Sequence, residues 1–427
     1  MIKDKQNIEL HQNQEEEQRR PVNRIMDKPN PMLRDKPRLK LAEDLPPEEI
    51  SKRRWAKLKR RVNFIFPLLL FLVMVVVGNY ILLTYRFHGY ARTSSIYAHS
   101  SEETSNYEIF ENGIVRFNRE GVMFLNQRNR EQWIQPAKFH HPTFVSSDQS
   151  FAIFDQGGNR VQVFNSRGLI GEFETSFPIE GLSVSDQGIV GVILRHDNAP
   201  LIMVFDAVGN LLVEKQVPLA TMGYPITLAL SRDGTLLAVS YLSVNGGRIS
   251  STVVHYNFAN VPSASPDFIV SSNEFEDKVV VELFFTKDDL SVAIADTSFI
   301  IFEDMLSPKI REHIHIAPEI ISVFYTNEYI GVVVLNQVRV GYELRLFNTY
   351  GEEVMSREFT GGYTNIQMIE NDIFMFGSFG LCIISRQGVI RFQGNLEVNP
   401  LLVMPAFGVN RFHVMSDSDL RTITLIR

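Results

Sequence analysis

The chain is expected to be all-β: a β-propeller of about eight four-stranded antiparallel blades, preceded by one transmembrane helix and a disordered N-terminal tail. Three observations predict this. Short β-branched and aromatic runs follow one another without a helical period, a turn phrase recurs at close to blade length, and a single uncharged apolar run precedes them all. The chain has 427 residues, 44% of them hydrophobic and 21% charged, a balance that excludes collagen, coiled coil and disorder throughout. One cysteine, Cys382, cannot close an intramolecular disulfide, so the fold must rest on burial and hydrogen bonding. The net charge of -7 conceals a division: residues 1–62 hold 17 Lys/Arg against 11 Asp/Glu, and the remainder is acidic. The two parts therefore face different surroundings.

Residues 1–50 are rich in Gln, Asn, Glu and Pro and lack a sustained apolar period, so they bury too little to offset chain entropy and read as a disordered cytoplasmic tail. DKPNPMLR from Asp27 and DKPRLKL from Asp35 form an imperfect repeat within it, a spacer or a short docking motif. Residues 51–61 are a basic juxtamembrane segment whose seven cations, Lys52, Arg53, Arg54, Lys57, Lys59, Arg60 and Arg61, suit an anionic membrane surface. Residues 62–85, VNFIFPLLLFLVMVVVGNYILLTY, carry no formal charge over 24 positions, enough to cross the hydrocarbon core as a helix. Pro67 sits near the start, where its missing N–H does least harm, and Tyr80 and Tyr85 suit the far interface. A buried core helix would be shorter and carry a polar stripe, and a cleaved signal would not follow some 60 charged and polar residues. The excess of Lys and Arg before the run places the N-terminus in the cytoplasm and residues 107–427 outside the cell. The bilayer is thus one partner, reached through a single helix.

Residues 86–106 read as a Ser/Thr-rich stem linker, and the propeller is expected over 107–427. Its CD phrase, an apolar pair, Asn or Asp, two variable residues and Gly, appears as VFNSRG from Val163, VFDAVG from Val204 and LFNTYG from Leu346, and more weakly as IISRQG from Ile383. A strand ends there in a tight turn where Asn or Asp caps its own backbone and Gly takes a positive φ. An AB phrase precedes it, as in TFVSSDQSFAIFD from Thr143, LSVSDQGIVGVIL from Leu182, LALSRDGTLLAVSY from Leu228 and ELFFTKDDLSVAIAD from Glu282. Blades are expected to start at Pro142, Glu180, Ile226, Val280, Ile321, Asn365 and Leu401, close to the ~40-residue spacing of propeller repeats. Such sheets are apolar on both faces and must stack in a closed ring. Four short strands in 107–136 and three after Leu401 give eight blades with a three-stranded last one; seven blades sharing strands between the termini is the alternative count. A β-sandwich pair or a β-solenoid would not repeat both turn phrases.

SRDGTLLAVSY with VFDAVGN resembles the repeats of WD40-like and quinoprotein-like propellers. The whole layout, with EIFENGIVRFNREGVMFLN and EQWIQP after the helix, resembles uncharacterised single-span membrane-anchored proteins of Clostridia-type bacteria, a domain of unknown function. That resemblance implies a Gram-positive cell-surface protein and no particular activity. The chain departs from WD40 proteins in lacking the Trp-Asp pair, and from quinone-dependent dehydrogenases in having only Trp55 and Trp133.

Candidate chemistry is sparse. His313 and His315 share one face of a strand, but water-exposed strand histidines explain them better than a metal; His140 and His141 are adjacent and cannot share a face. Asp417 and Asp419 suit turn capping more than calcium, since no distal Glu completes a loop. Ser231, Asp233 and Gly234 suit a hairpin, and Cys382 suits a core. With no Ser/His/Asp order, phosphate loop or paired carboxylate, no catalytic residue, metal or cofactor is assigned, and a hydrolase ranks last. Arg160, Arg195, Arg248 and Arg339 lie in loops joining second to third strands, which open on one face of a propeller. They could form a basic rim for an anionic wall polymer or an acidic partner, or be unrelated solvated arginines. The blade from Ile226, whose loops are longest, is the expected protein contact. The leading functional expectation is a scaffold for protein interaction at the cell envelope, with a receptor for wall polymer or a small ligand as the alternative. Neither nucleic-acid binding nor enzymatic activity is expected.

Overall fold

The computed structural model of the protein describes residues 65–82, 87–98, 105–197, 199–259 and 267–426. The expected tail over 1–50, the seven basic residues of 51–61 and both ends of the apolar run fall outside the described residues. Within that run, Ile65–Leu82 is a helix of 18 residues without a charge. At 1.5 Å per residue it is about 27 Å long, sufficient for a membrane anchor. Its Leu, Val, Ile and Phe side chains are exposed.

From Tyr90 onward the chain forms eight four-stranded antiparallel sheets. Seven are continuous in sequence: blade 1 spans 106–136, blade 2 142–174, blade 3 179–216, blade 4 224–276, blade 5 280–315, blade 6 320–359 and blade 7 365–395. Their inner strands begin within two residues of the positions expected from the repeats, so eight, and not seven, is the blade count. Blade 8 takes three strands from the C-terminus, Leu402–Pro405, Arg411–Met415 and Asp419–Ile426. Its outer strand is Tyr90–Ala98, paired antiparallel from Tyr90↔Ile426 to Ala98↔Asp419.

That pairing corrects the reading of 86–106 as a stem. Its middle is a strand that closes the ring by joining the two ends of the propeller. The segment YARTSSIYA is polar and Thr/Ser-rich, so its own pattern announces a linker. Its hydrogen-bonding partner lies more than 300 residues away, where no local pattern can show it. Just before it, the His88 amide donates to the Arg391 carbonyl at 2.8 Å, fixing the strand's entry against blade 7.

The core is divided among the blade interfaces. Eight apolar clusters each draw on two consecutive blades, and the series ends where it began: Ile114 and Leu125 of blade 1 pack with Leu402, Met404, Met415 and Leu420 of blade 8. The period-two alternation of a strand produces this arrangement. In Val190–Leu194, for instance, Val190, Val192 and Leu194 pack toward blade 2, and Ile193 toward blade 4. A strand apolar on both faces therefore meets a neighbour on each side, which only a ring provides throughout.

The recurring turn phrases behave as their chemistry requires. Asp206 Oδ1 accepts from the Val208 and Asn210 amides at 3.0 and 2.8 Å, and Gly209 takes φ 90°. Asn348 Oδ1 accepts from the Tyr350 and Glu352 amides at 3.0 and 2.9 Å, with Gly351 at φ 81°. A shift of register between third and fourth strands occurs in each of blades 1 to 7, with or without that phrase, and bends the outer strand in every one of them.

Candidate binding cavity on the propeller axis

The inner strands converge on the axis, and the AB phrase decides what they present there. In the turns of blades 3, 4 and 6 a Ser or Thr holds the backbone: Ser185 Oγ accepts from the Ile189 amide at 3.1 Å, Ser231 Oγ from Leu236 at 2.9 Å and Thr326 Oγ1 from Tyr329 at 3.1 Å. The residue after the cap is thereby left to project its side chain. Asp186 Oδ1 accepts from the Ser147 hydroxyl and from the Asp148 amide at 2.9 Å. Arg232 of blade 4 donates through Nε to Asp186 at 3.0 Å and pairs through Nη2 with Asp148 at 2.7 Å. Asn327 of blade 6 donates to Asp148 of blade 2, a bond between turns four blades apart in the ring.

Beside this polar crossing is a cavity of about 610 Å³ lined by the inner strands of blades 1 to 6. Its ionisable lining groups are Glu108, Asp148, Arg232, Glu282 and Tyr325. Tyr325 stacks on Phe284 with ring centres 3.8 Å apart and 3° between planes, and its hydroxyl donates to Glu282 at 3.0 Å. Removal from bulk water pushes Glu108 up to about 7. The same desolvation raises Glu282, only partly offset by the Tyr325 hydrogen bond. Arg232 is the only cation among these groups, and its guanidinium is already shared by Asp148 and Asp186. The cavity therefore combines uncompensated carboxyl groups with an aromatic wall.

A second polar group stands near the starts of the inner strands of blades 3 and 4. Tyr224 donates to Glu180, to which Arg195 Nε also pairs at 3.1 Å. Desolvation and the Glu180 carboxylate push Tyr224 up to about 12.

The four arginines expected to rim one face occupy the predicted strand junctions of blades 2, 3, 4 and 6. Three of them are locally matched: Arg160 to Glu174 at 3.1 Å, Arg195 to Glu180, and Arg339 to Glu358 at 3.2 Å. Arg248 is exposed at the tip of the blade 4 hairpin. His313 and His315 lie on the outer strand of blade 5 with their rings stacked at 4.6 Å, and His313 contacts Ser298 at 3.3 Å. Among the described residues no group of three or more His, Cys, Asp or Glu is arranged to hold a metal ion. Asp419 is held by Ser416 and Arg421 within its turn. Ser231 donates to Asp233 at 2.6 Å beside Gly234, which takes φ 71°, the hairpin geometry expected. Cys382 is buried in the core between blades 6 and 7, where desolvation pushes its thiol up to about 12.

Sequence reasoning missed Glu108, Glu282 and Tyr325. The available signal was a carboxyl residue inside an apolar inner strand, in YEIF and ELFF. Their meeting on one axis is a property of ring closure.

The fold and its axial cavity define a closed eight-bladed propeller, on a chain whose described residues include one candidate membrane-spanning helix. The chain belongs to DUF5711, a family of unknown function, whose match runs over residues 84–425. No curated protein matches it. Among solved structures it is similar to BamB from Moraxella catarrhalis, at 13% identity and TM-score 0.47 over 78% of this chain and 100% of that one. It is also similar to apo AztD from Citrobacter koseri, at 12% identity and TM-score 0.48 over 69% and 87% of the two chains. A third similarity is to the Pan2 WD40 domain of Neurospora crassa, at 10% identity and TM-score 0.41 over 67% and 89%.

Proposed function

We propose that the protein is a membrane-anchored scaffold for protein interaction at the cell envelope, without catalytic activity of its own. Its N-terminus lies in the cytoplasm and its propeller outside, at a Gram-positive surface of the Clostridia type that the sequence layout resembles. The orientation rests on the seven cations that precede the apolar run.

The observation that carries the scaffold reading is the apolar display on blades 4 and 6. The second and third strands of blade 4, Leu236–Asn245 and Arg248–Asn257, are ten residues each, longer than those of its neighbours. Gly246 and Gly247 close their hairpin with φ 60° and 84°, the two positive values of a tight hairpin turn. Val244 and Ile249 stand exposed near its tip. On blade 6, Asn336 Oδ1 accepts from the Val338 and Arg339 amides, and Val338 and Val340 are 89% and 98% exposed. Apolar side chains held out on ordered turns of one face suit a protein partner. Of the other long loop of blade 4 expected to serve a contact, ANVPSASPDF over 259–268, residues 260–266 lie outside the described residues.

In-cell crosslinking with identification of neighbours tests the reading, comparing the native chain with a Val244→Asp, Val338→Asp variant. A specific extracytoplasmic neighbour lost in the variant supports it; the same neighbours in both chains overturn it. A second reading, a receptor for a small ligand, is favoured by the axial cavity.

A further inference from the structure

We propose that the axial cavity binds a small organic cation, an ammonium group on an aromatic or aliphatic body, with Glu282 and Glu108 as its anionic partners. The proposal deepens the second reading above and rests on it.

Three features point to this class of ligand. The first is room: about 610 Å³ falls within the usual range of small-molecule sites, ~300–1,000 Å³. The second is charge. Glu108 and Glu282 are both raised by desolvation, so each carboxylate lacks the counter-charge that would keep it ionised. Arg232 cannot supply that charge, because Asp148 and Asp186 already hold it. An entering ammonium group would restore it, whereas an anion would meet carboxylates of its own sign. The third is the wall. The Phe284–Tyr325 stack offers a flat aromatic surface to the body of a ligand or to the cation itself. A bare divalent ion would need six or more oxygens at ~2.3–2.6 Å. This lining interposes Phe144, Leu228 and Phe285 among its polar groups, and among the described residues no metal-holding group is found.

Calorimetric titration of the full-length chain in detergent micelles tests the proposal with phenethylammonium and hexylammonium chloride, 2-phenylethanol as the uncharged counterpart, and calcium chloride. The expected result is one site for at least one ammonium compound, bound at least tenfold more tightly than the alcohol. Glu282→Gln or Glu108→Gln should weaken it at least tenfold, and Glu274→Gln, on the exposed outer strand of blade 4, should leave it unchanged. Should Glu282→Gln fail to fold, Glu108→Gln carries the test alone. Equal binding of alcohol and amine overturns the cation class while leaving the cavity as a ligand site. Absence of binding by both ammonium compounds and the alcohol overturns the cavity reading as well. Calcium binding abolished by Glu282→Gln, without ammonium binding, overturns the proposal in favour of a metal site.

Discussion

Phe151 offers the sharpest test of how the blades are held together. It is fully buried, 0% exposed, where blade 2 meets blade 1. Its ring lies 4.8 Å from Phe110, 5.0 Å from Phe164, 5.5 Å from Phe144 and 6.3 Å from Trp133. Replacing a buried Phe by Ala costs about 3–5 kcal/mol through lost transfer energy and the cavity left behind. Four ring partners, two of them in blade 1, place Phe151→Ala toward the upper end, because neighbours fixed in two sheets cannot both collapse into the gap. With an unfolding entropy of ~2 cal/mol/K per residue, a propeller of this length changes by roughly 0.7 kcal/mol per degree, so a loss of ~4–5 kcal/mol lowers Tm by about 6–7 °C. Far-ultraviolet circular dichroism follows the melt. Fluorescence of Trp133, isolated by a Trp55→Phe background, reports the same interface locally. Phe151→Leu keeps most of the volume and should cost less than half as much. A drop in Tm under 2 °C for Ala, or equal drops for Ala and Leu, would refute the reasoning that this ring cluster locks the two blades.

Three further outcomes follow from the same structure. Burial alone would raise Asp155, but hydrogen bonds from the His141 amide and from the ring and amide of His140 more than offset it and lower its pKa. A folded-state pKa below the unfolded one adds stability above the unfolded value and loses it as pH falls through the folded one. Asp155→Asn should therefore lower the unfolding free energy from urea titration at pH 6–7 by about 1–3 kcal/mol, with the gap closing below pH ~4; a gap unchanged down to pH 3 counts against it. A chain beginning at residue 99 lacks the strand Tyr90–Ala98 and exposes Asp419–Ile426 as an open edge. It should melt earlier and dimerise in light scattering, whereas one beginning at residue 86 stays monomeric; equal melting and mass would contradict ring closure by that strand. Changing Arg160, Arg195, Arg248 and Arg339 together to Gln should alter retention on a polyanionic wall polymer less than twofold, since three already face carboxylates. A tenfold loss would show that the rim binds polyanion despite that pairing.

The sequence by itself determined the apolar helix, the all-β class, the recurring repeat and the start of nearly every blade, while the count of eight over seven came from the structure. Each of these is written in short-range periodicity: alternation along a strand, a cap and a glycine in a turn, an unbroken run of lipid-compatible side chains. Only the tertiary structure decided that Tyr90–Ala98 completes blade 8, because a strand's hydrogen bonds go to whichever partner folding brings alongside, and here that partner is the C-terminal strand. It likewise decided that Arg160, Arg195 and Arg339 meet carboxylates, and that Glu108, Glu282 and Tyr325 share one cavity. Those three side chains are separated by long stretches of chain, and a ring gathers at its axis one inner strand from each repeat. Charge and aromatic surface then act together across distances in sequence that no motif spans.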